Sequence, residues 1–181
     1  MTNRSNAGER LRIVEGRVIV EDVDVFLASL TALGDEHGRL VVPLDARYVV
    51  GREHVERAVD LARRAFERGE NVADDPAIEL LLYAAGRRQI DDALAIGIDD
   101  GEQHLVVVVT EPIEATGSGD TDAAVAAVEE VLEPAETLGP EHVDEERVHE
   151  FFGITDAERD ATDASLAELV CERVALLTVN R

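Results

Sequence analysis

Gly86-Arg87-Arg88-Gln89 gathers the residues of this chain best suited to ligand chemistry. Two guanidiniums follow a glycine, and no acid stands three or four residues upstream to neutralise them. A guanidinium is a planar fork of donors that matches phosphate oxygens and base edges. Gln89 is suited to capping a helix or to reading a base. Tyr83, just upstream, offers a ring that stacks on an unpaired nucleotide or, as such tyrosines more often do, a core ring with a wet hydroxyl. Between Arg52 and Arg68, the residues Arg57, Arg64 and Arg68 share one face at the 3.6-residue period. With Arg87 and Arg88 they would form a basic patch for RNA phosphates. The spacing also favours a plainer use. Glu53 precedes Arg57 by four and Asp60 precedes Arg64 by four, the orientation preferred for ion pairs along a helix.

Other groups that do chemistry elsewhere have no apparatus around them here. The histidines are His37, His54, His104, His142 and His149, with no H-x-x-x-H, H-E-x-x-H or C-x-x-C among them, so no metal site is expected. His54 falls on the flank of an apolar stripe and reads as a half-buried histidine satisfied by a hydrogen bond. Asp91-Asp92 and Asp99-Asp100 are adjacent carboxylates. Catalysis by two carboxylates needs them across a cleft, whereas neighbours on a helix diverge. Ser118, between Gly117 and Gly119, does not make a G-x-S-x-G elbow. All 17 basic residues are arginine, which excludes a Schiff-base, P-loop or kinase lysine. Cys171 is the single cysteine; it forms no internal disulfide and reads as a small buried hydrophobe. No catalytic residue and no cofactor are expected.

The balance of 40 acidic against 17 basic residues gives a net charge of −23 over 181 residues. The acids are spread evenly and form no tail. That pattern fits a cytoplasm of very high salt, where short screening lengths relieve self-repulsion; the other use of such a surface is to bind basic partners. Hydrophobic residues make up 45% and aromatics 3%, so the core must be aliphatic. No apolar run approaches a membrane helix and the N-terminus shows no signal-peptide core. A cytoplasmic protein without a membrane partner is expected.

The elements that must position these groups read as follows. Met1–Glu9 is polar and frayed. Leu11 to Val20 forms one or two strands around Gly16. A helix carries Val23, Phe26, Leu27, Leu30 and Leu33 and stops at Gly34. Leu40 to Leu44 is an edge strand because of Pro43. Arg52 to Arg68 is an amphipathic helix ended by Gly69. Asp74-Asp75-Pro76 turns into a strand from Glu79 to Ala84, which would put Glu79, Leu81 and Tyr83 on one face. A helix from Gln89 to Ile96 follows, with Gly97 as a left-handed cap. Leu105 to Val109 is a buried strand. Glu111 to Asp120 is a loop, Val125, Val128 and Leu132 lie on a helix, and Pro134 to Pro140 connects. A helix from Pro140 ends at Phe152, Thr155 and Glu158 have capping-box spacing, and a final helix runs from about Asp163. These elements predict an α/β fold in one domain: a single mixed sheet layered with helices.

Several of these segments carry a family pattern. Glu53-His54 with Ala58, then Asn71-Val72-Ala73, Glu79 before an apolar run, and Arg88-Gln89-Ile90 with Ala93, Leu94, Gly97 and Ile98 occur in order. Phe151-Phe152-Gly153-Ile154-Thr155 and Leu169 to Leu177 complete it. The chain resembles the small accessory subunit of the archaeal and eukaryotic KEOPS complex, the PRPK-binding protein family, in a haloarchaeal form. The acidic stretch from Glu111 to Asp122 departs from that pattern. The resemblance implies an α/β sandwich and a non-catalytic subunit in the pathway to the threonylcarbamoyladenosine modification of tRNA. Its implied direct partner is a small RIO-like kinase/ATPase subunit, with the threonylcarbamoyltransferase subunit reached indirectly. Its implied nucleic-acid partner is the single-stranded CCA end of tRNA. On this reading Arg64, Tyr83, Arg87, Arg88 and Gln89 meet RNA. Leu166, Leu169, Val170, Val174 and Leu177, the stripe of the last helix, pack either on the protein's own sheet or in a groove of the kinase. Two alternatives stay open: a stand-alone anion-binding domain or small enzyme using the Gly86 turn, and a scaffold that touches protein only.

Overall fold

Five consecutive aliphatic residues, Leu105 to Val109, set the centre of the fold, because a strand with apolar side chains on both faces must be covered on both. The computed structural model describes residues 11–114 and 118–179. Its elements are β1 (Leu11–Val20), α1 (Val23–His37), β2 (Leu40–Asp45), α2 (Arg52–Arg68), α3 (Pro76–Ala85), α4 (Ile90–Ala93) and β3 (Gly101–Thr110). Then come α5 (Thr121–Val131), β4 (Glu133–Pro134), α6 (Glu145–Phe152), α7 (Asp156–Asp160) and α8 (Leu166–Leu176). Short 3₁₀ turns cover Ala46–Tyr48 and Leu94–Ile96.

The α/β architecture with one helix-layered sheet is as expected. Its strand order is β2-β3-β1-β4. All pairings are antiparallel, with Ile13 opposite Val108 and Val41 opposite Val109, where a mixed sheet was expected. The strands β1 and β2 do run the same way, joined by α1, but β3 is inserted between them and takes both as antiparallel partners. The side chains of β3 alternate between two cores. Leu105, Val107 and Val109 pack with Leu30 of α1 and Val125 and Val128 of α5. Val106 and Val108 face the other way, toward Val55 of α2, Leu80 of α3, Val148 of α6 and Val170 of α8. The second face carries the candidate site. Pro43 lies on the edge strand β2, where its missing N–H is tolerated.

The largest correction concerns residues 76–85, read above as a strand. They form α3, capped by Asp75, whose side chain accepts from the N–H groups of Ala77 and Ile78, with Pro76 in the first turn. Every residue from Glu79 to Ala85 is buried. A helix covered on all sides has no polar face, so its sequence lacks the 3.6-residue signal and looks like a buried strand. Leu81 consequently does not share a face with Glu79 and Tyr83.

Smaller corrections follow from caps. The first helix passes through Gly34 and ends at Gly38. Gly34 is small for another reason: a Cβ there would lie 2.5 Å from the Arg39 carbonyl oxygen. Gly97 has φ −76, so it is no left-handed cap, and the segment before it is α4 followed by a 3₁₀ turn. The helix expected from Pro140 begins at Glu145, because the Asp144 side chain caps it through the Arg147 N–H. Pro134 pairs with Gly16 as part of β4 rather than only connecting. The last helix starts at Leu166 behind a reciprocal capping box of Ser165 and Glu168. Thr155 does cap α7 through the Glu158 N–H, but the Glu158 carboxylate pairs with Arg173 at 2.6 Å. Met1–Glu9 lies outside the described residues, as does part of the Glu111–Asp120 loop. No helix among the described residues is long and apolar enough to cross a membrane.

Candidate functional site

Helices α2 and α3 pack against each other, and both touch α8. The chain leaves α3 through Gly86, which has φ +59, a left-handed conformation that glycine adopts without strain. Gly86 N–H donates to Tyr83 C=O and Arg87 N–H to Leu82 C=O, closing the helix end. The turn thereby projects Arg87 and Arg88 toward the C-terminal half of α2 and the end of α8. Between these parts lies a cavity of 320 Å³. Arg64 and Arg68 of α2 and Arg87 and Arg88 of the turn all line it. Glu79, Leu82 and Tyr83 form its α3 wall, at the i, i+3, i+4 spacing of one helix face. Val72, Glu70, Leu177 and Thr178 contribute to its rim.

The four arginines are held differently. Arg87 Nη2 donates to the Phe151 carbonyl, and its guanidinium carbon lies 5.1 Å from the centre of the Phe151 ring. That ties the turn to α6. Arg88 Nη2 donates to the Leu177 carbonyl at 2.8 Å, joining the same turn to the end of α8. A guanidinium has five N–H donors, so both keep others for a ligand. Arg64 and Arg68 are exposed. The ion pair that spacing suggests between Asp60 and Arg64 is absent among the described residues. Arg57, by contrast, does pair with Glu53 at 3.2 Å and does not line the cavity. The expected arginine face is therefore split between a salt-bridged end and an open end.

Glu79 is the buried acid of the site, at 1% exposure. Its Oε2 accepts from the N–H groups of Val72 and Ala73, at 3.0 and 2.8 Å. Burial pushes its carboxyl up from the usual range, and the two backbone donors and the charge of Arg88 pull it back. The sequence signal was available, since a glutamate inside an apolar run needs partners when buried. Its partners, the N–H groups of Val72 and Ala73, come within reach only once residues 76–85 are helical.

His54 is fully buried rather than half-buried. Its Nε2 lies 2.7 Å from the Ala84 carbonyl and donates to it, while Nδ1 accepts from the Val50 N–H at 3.4 Å. This pair of bonds fixes the neutral tautomer and staples α2 to α3. Burial lowers its pKa to about 4.

Of the residues singled out for RNA, Arg64, Tyr83, Arg87 and Arg88 meet at this cavity. Gln89 is exposed and sits at the N-cap of α4 without a side-chain cap bond, outside the cavity lining. Arg68 was placed by its helix face but not singled out. In the stripe of α8, Leu169, Val170 and Val174 are buried, with Leu169 and Val170 in the second core. Leu166 and Leu177 are only partly buried, and Leu177 also lines the cavity. The preceding position, Leu176, is 37% exposed.

Comparison with curated proteins gave no match. The family model described as kinase binding protein CGI-121 matches residues 15–178. That span runs from within β1 past the end of α8 and holds the whole cavity. The chain belongs to the CGI-121 family of kinase binding proteins.

Proposed function

We propose that this protein is the non-catalytic accessory subunit of a KEOPS complex and that it holds the single-stranded CCA end of tRNA in the arginine-lined cavity while bound to a small RIO-like kinase/ATPase. The observation that carries the RNA part is the convergence of Arg64, Arg68, Arg87 and Arg88 on one cavity in a chain of net charge −23. Local charge, not net charge, decides such contacts. The cavity also has the Tyr83 wall against which a base fits, and single strands are commonly held by a basic groove and an aromatic face together. The kinase contact is a property of the family. We assign it to the outward edge of the α8 stripe, Leu166 and Leu177, since Leu169, Val170 and Val174 are occupied by the protein's own core. The threonylcarbamoyltransferase subunit joins through the kinase. A cytoplasm of high salt fits the even spread of acid.

The test is binding of tRNA with its CCA end intact or trimmed, measured with the full chain in molar salt. Trimming should abolish most of the affinity. Equal binding of both tRNAs would remove the CCA end from the proposal. A tagged pull-down in the same salt should retain the kinase and, through it, the transferase.

A further inference from the structure

The geometry points to Glu79 as the residue that makes this cavity select a base bearing an exocyclic amino group over uracil. The inference rests on the RNA-binding reading above and adds to it a rule for which base is accepted. A cavity built only for phosphate gains nothing from a buried carboxylate, which repels an anion and weakens the four arginines around it. Glu79 nonetheless lines the cavity at 1% exposure. Its ligand must therefore bring a donor as well as an anion.

The orientation of the carboxylate is fixed. Oε2 takes both backbone bonds, from Val72 and Ala73. Oε1 makes no hydrogen bond among the described residues. An ionised carboxylate only accepts, so the open oxygen offers an acceptor to whatever enters. Cytosine and adenine present an amino group on the pairing edge, whereas uracil presents a carbonyl at the position of the cytosine amine. A carbonyl facing a carboxylate leaves two acceptors opposed and both desolvated. The arginines take the phosphates, and Glu79 reads the base from the α3 wall. Leu82 and the Tyr83 ring line the same space and exclude the water that would otherwise satisfy a mismatched carbonyl.

The substitution Glu79→Gln turns this into a sharp test. The amide oxygen must take over the two backbone N–H bonds, because an amide nitrogen accepts nothing. The amide NH₂ is then forced to face the cavity as a donor. Short RNAs ending in CCA and in UUU would be titrated against the full chain in native salt. The wild-type protein should favour CCA by on the order of tenfold or more, as expected for loss of a hydrogen bond to a charged group. Glu79→Gln should erase or reverse that preference. An RNA ending in N4,N4-dimethylcytidine-N4,N4-dimethylcytidine-uridine, compared with one ending in cytidine-cytidine-uridine, removes the amino donors without touching the protein. The dimethylated end should bind the wild type no better than UUU, and it keeps the test decisive where the variant fails to fold. Equal binding of CCA and UUU by the wild type overturns the inference, as does a variant with an unchanged ratio. Failure of the wild type to bind any of these RNAs refutes the RNA-binding reading itself and takes the base rule with it, a distinct outcome.

Discussion

Substituting Arg64 by Ala separates ligand binding from folding. Arg64 is exposed, and no ion pair joins it to Asp60 despite their spacing. Its removal should shift stability by no more than about 0.5 kcal/mol, the usual range for a surface residue without special partners. Its effect on RNA binding has a calculable signature. Each phosphate neutralised on a single strand contributes about 0.7 to the slope of log affinity against log salt. Four arginines line the cavity, and if each meets a phosphate the slope is about −2.8; Arg64→Ala brings it to about −2.1. Between 0.2 and 2 M salt the wild type then loses roughly 600-fold in affinity and the variant roughly 130-fold. The assay is equilibrium titration of a labelled CCA-ended RNA across a potassium chloride series, with a thermal melt of each protein as control. An unchanged slope for a folded Arg64→Ala would refute the assignment of this guanidinium to phosphate. A uniform loss of affinity at constant slope would place it on a base edge instead.

The remaining predictions address the scaffold and the partner. The buried His54 stays neutral in the fold with a pKa of about 4, against about 6.5 in an unfolded chain. Its contribution is fully present above pH 6.5 and is lost as pH falls to 4, roughly 3 kcal/mol in all. Denaturant titrations between pH 7 and 4 should show that loss in the wild type and not in His54→Gln. Glu79 acts in the opposite sense because burial raises it, so the difference between the two proteins is the quantity to read. Arg87→Ala removes the bond to the Phe151 carbonyl and the stacking on its ring. It should cost about 1–2 kcal/mol, seen as a lowered melting temperature that Arg64→Ala does not share. Leu166→Ala should weaken retention of the kinase in a pull-down with little change in the melt. Val170→Ala, fully buried, should lower the melt by creating a cavity and leave the retained fraction of folded protein unchanged.

Elements with one wet face were legible in the sequence. The helix α2 shows its stripe because its other face meets water, and α8 was recognised for the same reason. The strand β3 was legible as a run of β-branched residues too short for a helix. The helix α3 was not, because burial on every side erased its periodicity and left an apolar run that either structure fits. Its signals were all at its ends: Asp75 before Pro76, and Gly86 after Ala85. Those caps are helix-end signals that no strand needs. The same error hid Glu79, since a carboxylate gains meaning from what surrounds it once buried.

The sequence by itself determined the chemical inventory: guanidiniums in place of ammoniums, a glycine where the chain leaves α3, an aliphatic core, and the ordered segments of the CGI-121 family. These are properties of residue type and local spacing, which no packing can change. Tertiary structure alone decided which arginines share a cavity. Arg57 and Arg64 look alike in the sequence, each with an acid four residues before it. Yet Arg57 closes on Glu53, while Arg64 stays open beside a turn that follows it by more than 20 residues. Nor could spacing show that Glu79 would line the same cavity as those guanidiniums, held by two backbone N–H groups from the segment before its own helix. The physical reason is range. Helix pairing and capping are settled within a turn or two of chain, but a cavity exists only where separate elements are driven together by the burial of faces that the local sequence does not connect.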